Sequence, residues 1–112
     1  MPHVVVDISA HGFGHLAQTA SVLNALPSAG LALSIRSAAP EAVLRERIRH
    51  PFTLIPYEQD TGMIMHDALR VDAARTFAWY EAFHANYAAR REQAMRDLAQ
   101  LQPDLLYAMC LI

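Results

Sequence analysis

Val4-Val5-Val6-Asp7-Ile8-Ser9-Ala10-His11-Gly12-Phe13-Gly14-His15 decides the reading of this chain. Val4, Val5, Val6 and Ile8 are β-branched and do not alternate strictly with polar residues. That is the pattern of a strand buried on both faces, here expected over His3 to Ile8. Gly12 and Gly14 suit a sharp turn that lets a ligand approach the backbone. Gly14 is expected at φ > 0, where a β-branched residue does not fit. Leu16, Ala20, Leu23 and Leu26 then recur at helical spacing, until Pro27 and Gly30 stop the helix. A strand, a glycine-bearing turn and a helix make the opening of a nucleotide-type α/β unit. The unpaired N–H groups and positive dipole end of such a helix favour an anion.

Outward from this opening, Leu31-Ala32-Leu33-Ser34-Ile35-Arg36 reads as a second strand. Pro40 suits the start of the next helix, with Glu41 at its positive end and Arg45, Arg47 and Arg49 toward its negative end. Those arginines read as a solvated face rather than a phosphate patch. Phe52 to Pro56 is a third strand. An irregular stretch from Tyr57 to Arg70 follows it, on the side where open parallel sheets bind ligands. A loop of that length in a compact domain is usually functional. Asp72 is an expected N-cap of one long helix running to about Leu101. Ala73, Phe77, Tyr80, His84, Tyr87, Ala88, Met95 and Leu98 share its apolar face, which is expected to be core, with His84 a core or boundary histidine. Leu105 to Ile112 reads as a fourth, buried strand. The expected fold class is therefore α/β, a Rossmann-like parallel sheet with helices on both faces.

The 112 residues suit a single domain. Hydrophobic residues make up 54% and charged residues 18%, an apolar balance that anticipates a partner surface. A net charge of −2 argues against a nucleic-acid partner held by charge. Cys110 is the only cysteine, which leaves neither an internal disulfide nor a cysteine-based zinc cluster. No apolar run reaches the ~18 residues of a spanning helix, and the start lacks a signal-type segment. A cytoplasmic location is the expectation. Because the sequence stops on an apolar strand, these residues are expected to be part of a longer protein, and an open sheet edge would favour a homo-oligomer.

The chemistry available at the first turn is acid–base. His11 and His15 flank it and exchange protons near neutral pH. A P-loop lysine and a Gly-x-Ser-x-Gly elbow are both missing. His11 and His15 straddle a turn without an intervening Glu, which is a poor arrangement for zinc. Asp7 interrupts its strand and reads as a carboxylate accepting hydrogen bonds from loop N–H groups.

Ala10-His11-Gly12-Phe13-Gly14-His15 resembles the amino-terminal glycine-rich loop of GT-B glycosyltransferases. It is most similar to the bacterial group related to the lipid-II-forming N-acetylglucosaminyltransferase and to the amino-terminal half of arabinokinase-like proteins. Ala10 stands where those carry Gly. Asp60-Thr61-Gly62-Met63, followed by Asp67-Ala68-Leu69-Arg70-Val71-Asp72 and a long helix, is similar to a second pattern of the same proteins in the same order. The resemblance spans essentially the whole chain.

The resemblance implies two Rossmann-like domains facing a cleft, of which this chain matches the first part of the acceptor-binding one. A missing carboxyl-terminal domain would hold most of the nucleotide-sugar donor, and the acceptor would be a small molecule or a lipid. It implies no metal and no cofactor beyond the donor substrate. By alignment His15 is the candidate base, with His11 its competitor. Gly12, Phe13, Gly14, Asp60 and Asp67 are candidate substrate-binding residues. For Asp60 and Asp67, turn-stabilising carboxylates are an equal expectation. Two other functions stay open. One is a non-catalytic sugar- or nucleotide-binding module, fused to a kinase as in arabinokinase-like proteins. The other is an NADP-binding oxidoreductase domain, with Arg36 on the extra phosphate.

Overall fold

A computed structural model describes residues 1–10, 14–57 and 64–108. The element order is β1 (His3–Asp7), α1 (Gly14–Asn24), β2 (Ala32–Ser37), α2 (Glu41–Arg47), β3 (Thr53–Pro56), α3 (Ala73–Ala85), α4 (Tyr87–Leu101) and β4 (Leu105–Ala108). The chain divides into two compact units, Met1–Thr61 with Pro103–Ile112, and Gly62–Gln102.

The first unit holds a four-stranded sheet in the order β3-β2-β1-β4, with every pair parallel. The α/β, Rossmann-like class expected from the alternation is what is found. Parallel strands need crossovers, and the helical spacing of Leu16 to Leu23 supplies the first of them. Leu16, Ala20 and Leu23 of α1, with Leu44 of α2 and Ile48 beyond it, cover Val6, Ile8, Leu33 and Ile35 of the sheet. Burying each of these larger aliphatic side chains contributes roughly 1.5–3 kcal/mol. The turn into β2 uses Gly30 at φ 80°, a conformation that favours glycine.

The opposite face of β1 and β2 mixes the apolar Val5 with polar residues. Period-two alternation puts Asp7 and Arg36 there together, and the parallel register makes them direct neighbours. Arg36 donates from Nε to Oδ1 and from Nη2 to Oδ2 of Asp7, each at 2.5 Å. The two side chains are 5% and 3% exposed. Asp7 is thus the partner of a buried guanidinium, not a carboxylate serving loop N–H groups. His3 Nε2 lies 2.7 Å from Ser34 Oγ on the same face.

The second unit departs from the expected single helix. Asn86 sits at φ −110°, ψ 30°, outside helical space, and separates α3 from α4. Asn competes for local backbone hydrogen bonds and interrupts helices for that reason. Asp72 does cap α3, its side chain accepting from the Arg75 N–H. The apolar face is not a core: neither helix has a buried residue. Phe77 is 70%, Tyr87 58% and Met95 60% exposed. Instead the rings contact one another at helical spacing. Trp79 stacks on Phe83 at 5.2 Å between centroids, and His84, itself exposed, lies between Tyr80 and Tyr87. The fourth strand is likewise not buried, since Leu105 and Leu106 of the edge strand β4 are 58% and 40% exposed. Residues 109–112 lie outside the described residues.

Asp7→Leu leaves the Arg36 charge buried without its carboxylate, so it should cost about 3–5 kcal/mol in urea unfolding. The double variant Asp7→Leu with Arg36→Met should recover most of that loss. A single-variant loss under about 1 kcal/mol would mean that water reaches the pair.

Candidate functional site

The carboxyl ends of the strands converge around the start of α1. The ladder continues past the strands proper, with the Ile8 N–H donating to Arg36 O and the Tyr57 N–H donating to Ser37 O, both at 3.1 Å. Ser37 Oγ accepts from the Ala39 N–H at 3.1 Å and bends the chain toward Pro40 and α2. Ser9 and Ser37 are 2% and 1% exposed, so the rim is polar and closed. The Arg36 guanidinium carbon lies 4.8 Å from the centre of the Tyr57 ring, a cation–π arrangement above the Asp7 pair. Neighbouring strands leave β1 in opposite directions, β2 to one side and β4 to the other. That reversal is the topological switch point, where open α/β sheets bind ligands.

α1 begins at Gly14. Its first turn carries no acidic side chain, so its positive end is not neutralised from within the turn. His15 is its second residue and is partly exposed. Gly14 does not have the left-handed backbone expected of it. It is helical, and a Cβ placed there would meet nothing within 4 Å. A side chain could therefore be placed at Gly14, where the backbone makes no conformational demand for glycine.

Of the other sequence-predicted residues, His11, Gly12, Phe13 and Asp60 lie outside the described residues. Asp67 belongs to the second unit and is exposed. Its Oδ1 accepts from the Leu69 and Arg70 N–H groups, each at 2.9 Å, and its Oδ2 from Arg70 Nε at 2.7 Å. These bonds, the Arg70 side chain first and the Leu69 N–H next, hold its carboxyl below the ordinary value of 3.8. Among the described residues no group of three His, Cys, Asp or Glu could hold a metal ion. Arg36, the residue an NADP phosphate would need, is turned into the Asp7 pair and is 4% exposed.

Sequence reasoning missed that pair and the Tyr57 ring over it. The signal was present: Asp7 and Arg36 each interrupt an apolar strand near its carboxyl end, and adjacent parallel strands bring such positions level. No protein-family model, curated protein or solved structure matches this chain. Among the described residues no helix is long and apolar enough to cross a membrane.

Gly14→Ala should fold with the stability of the parent or up to about 1 kcal/mol above it, because its backbone suits an L-residue and the unfolded chain loses entropy. A thermal midpoint well below the parent's would show that the turn does require glycine. The lowered value at Asp67 means that its turn gains stability above the carboxyl's unfolded value and loses it as pH falls through the folded one. A carbon-13 titration of the Asp67 carboxyl should show a midpoint below 3.8, and a midpoint at or above it is the contrary result.

Proposed function

We propose that this chain is the acceptor-side Rossmann-like unit of a glycosyltransferase that uses a nucleotide-sugar donor, with His15 as its base. The observation that carries the proposal is the place of His15. It stands in the first turn of α1, immediately beyond the switch-point strand, partly open to solvent. The glycine-loop resemblance assigns a base to that position, and an imidazole suits the chemistry.

In the proposed reaction a hydroxyl of the acceptor approaches His15. The ring nitrogen takes the hydroxyl proton as the oxygen attacks the anomeric carbon. The bond from that carbon to the nucleoside diphosphate breaks, and the diphosphate leaves with the electron pair. The N–H groups at the start of α1 and its dipole favour negative charge developing there. Most of the donor would be held by a second domain. A cytoplasmic location belongs to the same proposal, and there Cys110 would remain a thiol.

Two measurements test it. In the chain labelled with nitrogen-15, glycosyl acceptors should perturb the amides of Ser9, Ala10, Gly14 and His15, and NADPH should not. Perturbation by NADPH alone would favour the oxidoreductase function, and silence toward every ligand would remove the binding role. In the native protein, His15→Ala should lower transfer by about 10²–10⁴-fold with donor affinity nearly unchanged. Unchanged turnover would take the base role away from His15.

A further inference from the structure

We draw no further inference here: the strongest candidate, the apolar face that exposes Phe77, Tyr87 and Met95 on α3 and α4, carries no proposal because nothing in the structure shows what covers it.

Discussion

A guanidinium and a carboxylate side by side inside a sheet leave little freedom to the strands that carry them. Arg36 and Asp7 are register partners, and both are almost fully buried. Slipping β2 by one residue against β1 would send Arg36 to the opposite face, toward Val6, Ile8 and the Leu16, Ala20 and Leu23 side chains of α1. The cost of leaving either charge alone in that environment exceeds what most packing errors cost. The pair therefore acts as a register pin for the two central strands. Because β1 also pairs with β4 and β2 with β3, the pin reaches the whole sheet. It also fixes the level at which the strands end, and so the level of the rim where α1 begins.

Much of this first unit was legible in sequence, for a physical reason. Strands that are buried on both faces and joined by short helices are written in local patterns: the run from Val4 to Ile8, the spacing of Leu16, Ala20 and Leu23, the punctuation by Pro27, Gly30 and Pro40. The observed elements fall within two or three residues of those signals. What could not be read was pairing across 29 residues of chain, since Asp7 and Arg36 meet only once the strand order and register exist. At the site, the position of His15 at the start of α1 was legible. The ordinary helical backbone of Gly14 was not, because a glycine in sequence shows only what a position permits.

The second unit shows the opposite balance. Its helical spacing was read correctly, but spacing defines a face without saying what covers it. Trp79, Tyr80, Phe83, His84 and Tyr87 satisfy one another along the helices, and Arg90 lies 4.3 Å over the Phe83 ring. A ladder of rings at i, i+3 and i+4 gives a helix local support without a core. Asn86 breaks that helix within the ladder, between His84 and Tyr87, a change of two backbone angles that no periodicity records.

Residues 64–72 have a property of their own. Met65 bridges Val71, the Asp72 N–H donates to Ile64 O at 2.7 Å, and the Ile64 N–H donates to Thr76 Oγ1 at 2.9 Å. Asp67 and Arg70 fasten the tip. Every one of these ties begins and ends within the loop or the first turn of α3, so the segment is a self-fastened cassette. Its tip, with Leu69 93% exposed, can be exchanged residue for residue without touching the register of the sheet. A lineage that needed a new recognition surface would have here a place to vary it, leaving the sheet as it stands.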